Sequence, residues 1–198
     1  MKIEKGLILI EGNKGTFKGT LIEELKKYYN FRVIKGIPKG EKSLLKSYDN
    51  HHDATKYLFD FWTEIIKLSE KELVVTDRTY ISNMVYLGTF TDEDRQFVYL
   101  TTEQRKKLET SIKKIPYVLI YLHDTVETLW DRYTLRGTHD ILKTDFIQNI
   151  EEIEELNRKY DYFMNKETLL DKLDIDCNSF HPQNPKIVKK YLNEKLSK

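Results

Sequence analysis

Apolar and polar residues along this chain follow two different periods, and the two alternate. Leu7-Ile8-Leu9-Ile10 is a short unbroken apolar run, as a strand buried on both faces requires. Leu21, Ile22 and Leu25 then recur at helical spacing and predict a helix over residues 18–29. Residues 31–34 read as a second strand, ended by Gly36 and Pro38. The pairs Tyr57-Leu58, Phe61-Trp62 and Ile65-Ile66 place an amphipathic helix over 53–69. Leu73-Val74-Val75, residues 117–122 and residues 173–176 supply the third, fourth and fifth strands, rich in β-branched or aromatic side chains. Helices are expected over 102–114, opened by a capping-box-like Thr102-Glu103-Gln104-Arg105, and over 125–135, 144–165 and 185–196. Crossovers of this length imply a parallel sheet covered by helices. In such α/β sheets ligands bind beyond the carboxyl ends of the strands, so the chemistry must be sought in the loops there.

Composition narrows the classes. The 198 residues carry 33 basic and 32 acidic side chains, a formal net charge of +1. That balance argues against a polymeric nucleic-acid coat or a polybasic membrane binder. One cysteine, Cys177, can build neither a disulfide framework nor a cysteine-rich zinc site, and a reducing, cytoplasmic compartment is the expectation. No apolar run approaches 18 residues and no signal-peptide pattern opens the chain. The expected organisation is a single domain over 1–198. The charge is uneven: residues 1–50 hold 11 basic and 6 acidic side chains. An excess of cations there suits an anionic small ligand, although a solvated lysine surface has the same composition.

Two segments at strand ends carry candidate chemistry. The first strand runs into Glu11-Gly12-Asn13-Lys14-Gly15-Thr16-Phe17-Lys18-Gly19-Thr20 and then a helix. Backbone N–H groups and a helix amino terminus converge on an anion at such a junction. The phosphate-loop pattern is Gly-x4-Gly-Lys-Ser/Thr; Gly12 and Lys18 fit it, while Phe17 replaces the second glycine and Gly19 the metal-binding hydroxyl. Phenylalanine brings a Cβ and a ring to a place where the backbone must approach phosphate closely. Thr20, one residue on, can supply the hydroxyl for Mg²⁺ only if the turn shifts. The third strand ends in Thr76-Asp77-Arg78, followed by Ser82, Tyr86 and Gly88. An arginine fork there suits bidentate capture of phosphate, and the carboxylate suits a metal shell or the orientation of that arginine.

Read together, these segments resemble the thymidylate kinases, within the wider P-loop nucleotide and deoxynucleoside kinases. Leu9-Ile10-Glu11-Gly12 resembles the entry to the family's phosphate loop, and Asp77-Arg78-x3-Ser82-x3-Tyr86-x-Gly88 its Asp-Arg segment. Leu122-His123-Asp124, then Arg132-x3-Arg136-Gly137-x2-Asp140, resembles its arginine-bearing lid; the 156–160 stretch and Ile175-Asp176-Cys177 follow in family order. The resemblance implies a three-layer P-loop NTPase-type sandwich on a five-stranded parallel sheet, with a short lid at about 132–145. It implies ATP held by Gly12, Asn13, Lys14, Gly15, Thr16, Lys18, Gly19 and Thr20, with Lys18 bridging the β- and γ-phosphates. Arg78 would hold an acceptor monophosphate, with Asp77, Ser82 and Tyr86 beside it. Arg132 and Arg136 would close over the donor. Mg²⁺ would sit near Thr20 and Asp77, and two copies would pair through helices.

The acceptor side departs from the family. Where it carries Phe-x3-Arg to stack on and contact the base, this chain has His52 and Lys56. Leu87 stands where the family has a glutamine, and Lys14 where its loop has an acid. A site that binds a sugar hydroxyl through a carboxylate cannot do so with lysine; an added cation favours a more anionic or modified acceptor. Three readings follow. The first is a kinase phosphorylating a (deoxy)nucleoside monophosphate, dTMP or a related or modified pyrimidine nucleotide. The second is a deoxynucleoside kinase, which needs a carboxylate base after the second strand, where Lys35-Gly36-Ile37-Pro38-Lys39-Gly40 offers none before Glu41. The third is a nucleotide-binding protein that keeps the fold without transfer.

Overall fold

The computed structural model describes residues 3–35, 51–86, 100–140, 149–179, 181–182 and 185–196, the side chains of 35, 51–54, 86 and 136–140 excepted. Five strands, β1 (Gly6–Gly12), β2 (Arg32–Lys35), β3 (Leu73–Asp77), β4 (Tyr117–His123) and β5 (Lys172–Asp176), form one sheet in the order β2-β3-β1-β4-β5. Every pairing is parallel. All carboxyl ends therefore share one edge, with β1 at its centre and β3 and β4 beside it. The chain reverses its winding between β3 and β4, one on each side of β1. A crevice opens at that point in doubly wound folds.

Side-chain alternation along the central strands sorts the helices into two layers. Ile8, Ile10, Val75, Val118 and Ile120 face α1 (Lys18–Leu25) and a carboxyl-terminal helix (Lys186–Leu196), packing against Leu21, Leu25, Val188 and Leu192. Leu7, Leu9, Val74, Leu119 and Tyr121 face the opposite layer. That layer consists of α2 (His51–Ser69), α3 (Tyr80–Tyr86), α4 (Thr102–Ile112), α5 (Val126–Asp140) and α6 (Ile150–Tyr162). The carboxyl-terminal helix is α7. The result is the three-layer sandwich expected of the sequence.

The strands fall where the apolar runs place them; the helix ends differ for identifiable reasons. Helix α1 stops at Leu25, and Lys27, Tyr28 and Tyr29 continue as turns bonded to Glu24 and Leu25. The capping box is Thr101 with Gln104, not Thr102 with Arg105. The Thr101 hydroxyl accepts from Gln104 N, and Gln104 Oε1 accepts from Thr101 N at 3.0 Å. Helix α6 gives way to a π-helical turn, Phe163–Glu167. Helix α3 has no sequence counterpart in the periodicity. It is seven residues long and begins with Tyr and Ile, and the Thr79 hydroxyl accepts from Ile81 N at 3.0 Å. Its start is held by this Thr79 cap, whose own N–H and hydroxyl donate to the Glu11 carboxylate. Residues 132–140, at the start of the expected lid, continue α5 as helix, and 141–148 lie outside the described residues. Among the described residues no helix is long and apolar enough to cross a membrane.

Candidate functional site

The loop between β1 and α1 is a closed turn built on two special backbone positions. Gly12 has φ 144°, and a Cβ there would stand 2.2 Å from the Leu122 carbonyl oxygen on β4. Only glycine lets the loop leave the sheet this close to its neighbour. At the other end Phe17 caps α1 with φ 61° and ψ 19°. That is the left-handed region a glycine would take, at a cost of about 1–2 kcal/mol for a residue with a side chain. The substitution expected to disturb the loop therefore keeps its backbone path. The Phe17 ring is half-buried against the α1–α7 side of the core.

Lys18 is buried and turned into this loop. Its Nζ donates to the carbonyls of Gly12 at 2.7 Å and Asn13 at 2.6 Å, and to Thr16 Oγ1 at 3.2 Å. Burial, and then the Arg78 guanidinium, pull its ammonium down to about 7. A polyphosphate bound at the loop adds the negative charge that stabilises the protonated form. Gly19, one residue further, is exposed, with no atom within 4 Å of a Cβ built on it. Gly19→Ser is accordingly expected to fold, to gain about 0.5 kcal/mol of helix stability, and to lower the Mg²⁺ concentration required for nucleotide binding. An unchanged Mg²⁺ titration in the variant would show that this position plays no part in holding the metal.

Beneath the loop lies a carboxylate that the sequence reading did not single out. Glu11, on β1, is fully buried, and its two oxygens meet five donors. Oε2 accepts from Thr79 N and Thr79 Oγ1, each at 2.8 Å. Oε1 accepts from Ser82 Oγ at 2.7 Å, Gly12 N at 3.1 Å and the Tyr160 hydroxyl at 3.2 Å. A charge this deep is tolerated because its lone pairs are satisfied. Two of the same groups seat Arg78. Its Nη1 donates to the Tyr160 hydroxyl at 3.0 Å, Ser82 Oγ at 3.3 Å and the Gly12 carbonyl at 3.4 Å. Arg78 is itself left-handed, φ 78°, and its N–H bonds the Ile10 carbonyl at 2.9 Å. The β3–β1 ladder thus aims the arginine back over the end of β1.

Helix α5 covers the loop from the β4 side. Arg132 Nη1 pairs with the buried carboxylate of Asp124 at 2.5 Å and reaches the Gly15 carbonyl at 3.3 Å. Its guanidinium lies 4.3 Å from the Phe17 ring centroid. Gly15, φ 88°, sits under Leu129 and Arg132, and a Cβ there would meet them at 3.3 and 3.7 Å. Asn157, on α6, donates to the Asp124 carbonyl at 3.0 Å and accepts from Asn13 Nδ2 at 2.9 Å. Loop, β4 end, α5 and α6 are thereby joined in one hydrogen-bonded circuit. Cys177, following β5, approaches the Thr16 carbonyl from behind at 3.5 Å. Its thiol is pushed up to about 12 by burial and then by the Asp124 carboxylate, which makes it packing material and not a nucleophile.

Of the residues singled out in the sequence, Gly12, Asn13, Lys14, Gly15, Thr16, Lys18, Arg78, Ser82 and Arg132 meet around this loop. Asp77 stands half-buried at the end of β3, close enough for its charge to act on Lys18. Thr20 is exposed on α1 and Lys56 is exposed on α2. The side chains of His52, Tyr86 and Arg136 lie outside the described residues. Glu11, Thr79, Asp124, Asn157 and Tyr160 are the additions. The signal for Glu11 was an acid directly following four apolar residues of a strand.

Mg²⁺ in phosphoryl-transfer sites takes one or two carboxylates and shares the substrate's phosphates. Asp77 fits that requirement, while Glu11 has its oxygens committed to protein donors. Among the described residues no group of three or more His, Cys, Asp or Glu side chains could hold a metal ion alone.

Parallel order β2-β3-β1-β4-β5, with a glycine-bounded loop joining β1 to α1, is the strand order of the P-loop kinase fold. The solved structures agree. YorR of Bacillus subtilis, in complex with phosphorylated GDP, superimposes with a TM-score of 0.72 at 24% identity over 95% of each chain. Deoxyadenosine kinase of M. mycoides with bound dATP gives 0.61 at 20% identity, over 95% of this chain and 99% of that one. No protein-family model matches the chain. In sequence it is 30% identical over 153 residues to the SPbeta prophage-derived YorR of Bacillus subtilis, 77% of this chain and 80% of that protein. The chain belongs to the YorR family.

Proposed function

We propose that the chain is a nucleotide kinase, transferring the γ-phosphoryl group of ATP to a (deoxy)nucleoside monophosphate. One observation carries this reading. The Lys18 ammonium and the Arg78 guanidinium donate to the same oxygen, the Gly12 carbonyl, at 2.7 and 3.4 Å. A cation from the donor loop and a cation from the β3 end thus converge on one point, and Arg132 bonds the Gly15 carbonyl of the same loop. Phosphoryl transfer asks little more of a protein than in-line positioning and neutralisation of charge on the moving group.

In this mechanism Lys18 leaves its loop carbonyls for the β- and γ-phosphates, and the loop N–H groups hold the β-phosphate at the start of α1. Arg78, steadied by Ser82 and Tyr160, holds the acceptor phosphate in line. Arg132 and Arg136 close over the donor. Asp77 and Thr20 would hold Mg²⁺, which when bound would neutralise charge on the donor phosphates. The P–O bond from the γ-phosphorus to the β,γ-bridging oxygen breaks as an acceptor phosphate oxygen bonds to that phosphorus, giving ADP and a diphosphate. A pyrimidine acceptor, dTMP or a related or modified nucleotide, follows from the resemblance to the thymidylate kinases, with His52 and Lys56 at the base. Homodimerisation belongs to the same reading.

A second reading, phosphorylation of a free nucleoside 5′-hydroxyl, is favoured by the fold shared with deoxyadenosine kinase. An ADP-release assay across monophosphates and nucleosides decides between them. Turnover with a pyrimidine deoxynucleoside monophosphate is the expected result. Turnover of nucleosides alone would replace it with the second reading, and no turnover with either class would sink both.

A further inference from the structure

Two of the departures from the usual phosphate loop, Lys14 and Phe17, touch adjacent residues of one helix. The Phe17 ring lies under the Arg132 guanidinium at 4.3 Å, and the Lys14 ammonium lies 5.5 Å from the Tyr133 ring centroid. A ring on the loop takes a cation from α5, and a ring on α5 takes a cation from the loop. Both distances are within cation–π range. We propose that Phe17 and Lys14 are positioning residues for Arg132, a crossed cation–π clamp that fastens α5 to the phosphate loop and holds the guanidinium at the donor's terminal phosphate.

Three features of the site support the assignment. Phe17 occupies a left-handed backbone position that costs energy for any residue but glycine, and such strain persists only where the surroundings determine it. Its ring is fixed from below by the core and covered from above by Arg132. The remaining contacts of Arg132, with the Asp124 carboxylate and the Gly15 carbonyl, hold the guanidinium by one nitrogen, Nη1. Contact with the ring face, 4.3 Å from its centroid, restrains the plane in which the other nitrogens point. A glycine at 17 would leave that plane undefined. The glycine of the usual loop is therefore replaced here by a residue with a task, and Lys14 adds the second fastening.

The proposal rests on the kinase reading for its substrate, but its test reads binding. The dissociation constants of ATP and ADP are measured for wild type, Phe17→Leu, Phe17→Tyr, Lys14→Met, Arg132→Met and the Phe17→Leu/Arg132→Met double variant. Values of kcat and KM are taken on the same proteins. Wild type is expected to prefer ATP over ADP, because the clamped arginine meets the γ-phosphate. Phe17→Leu and Arg132→Met should each shrink that preference about five- to thirtyfold, the range of one desolvated cation–π contact, and lower kcat more than they raise the acceptor KM. The double variant should lose no more than the worse single one, and Phe17→Tyr should keep the wild-type preference. Lys14→Met, in which the core contact of Phe17 is untouched, should shift the preference in the same direction. An unchanged ATP-to-ADP ratio in Phe17→Leu, or strictly additive losses in the double variant, overturns the clamp. A wild type that prefers ATP yet phosphorylates nothing would sink the kinase reading while leaving the clamp to be judged on binding.

Discussion

Lys18→Met is expected to lower turnover by about 100-fold or more, the scale set by removing one charged group from a developing phosphoryl charge. The same substitution should change how stability depends on pH. The Lys18 ammonium falls from 10.5 to about 7 in the folded chain because burial, aided by Arg78, disfavours its charged form. Between those two values the unfolded chain binds the extra proton, so unfolding takes up a proton and the folded state gains stability as pH rises. The nucleotide-free protein should therefore become more resistant to urea from pH 7 towards pH 10, at up to about 1.4 kcal/mol per pH unit from this group. Below pH 7 the contribution is flat. Lys18→Met should lack that increment, so its stability curve falls below the wild-type trend over the same window. Parallel curves for the two proteins would mean that Lys18 is charged and solvated, and would remove the basis for its place in the loop. Nucleotide binding reverses the effect: above pH 7 it should draw a proton onto Lys18, seen as a binding heat that varies with the buffer's ionisation enthalpy.

Gly12→Ala should be the most damaging alanine substitution among the described glycines. The added Cβ would lie 2.2 Å from the Leu122 carbonyl oxygen and 2.9 Å from Thr16 Oγ1, on a residue with φ 144°. Neither the β4 backbone nor the Gly12 dihedral can give way cheaply, since Gly12 pairs with Leu122 in the β1–β4 ladder. Backbone strain and overpacking each cost about 1–3 kcal/mol, and here they fall on one residue. A loss of about 3 kcal/mol or more, with nucleotide binding abolished, is expected from urea denaturation and calorimetry. A variant with the wild-type midpoint and affinity would contradict the close approach of the loop to β4. Gly19→Ser, seven positions along, is the contrasting case, because its Cβ meets open space.

The difference between these two glycines illustrates what could be seen before folding. Both belong to the same motif and look alike in the chain. Gly12 is constrained by a carbonyl 110 residues away, whereas Gly19 is constrained by nothing within reach. Phe17 read as a defect because the pattern asks for glycine; the structure keeps the glycine dihedral and turns the ring towards Arg132. Glu11 was visible as an acid ending an apolar run. Its purpose depends on Thr79, Ser82 and Tyr160 arriving at its two oxygens, which no local pattern encodes.

The excess of cations among the first 50 residues was equally two-faced. Composition alone left it as a solvated surface or an anion site. Lys18 turns inward and Lys14 turns to Tyr133, while Lys26 and Lys27 make solvent-side pairs with Glu23 and Glu24. The inward-turned lysines belong to the proposed anion site, and the outward-turned ones to the solvated surface.

The sequence by itself determined the five strands, their parallel sense and the sheet edge that carries the candidate site. Those follow from apolar runs and crossover lengths, which are properties of short stretches of chain. It also placed the phosphate loop and the Asp-Arg segment at strand ends. Only the tertiary structure decided which groups act together: Glu11 with Arg78 through Ser82 and Tyr160, Arg132 with Asp124 and Phe17, Lys18 with the Gly12 carbonyl. A charge is useful or costly according to what surrounds it, and around Glu11, Arg78 and Phe17 those surroundings come from residues about 70 to 150 positions away.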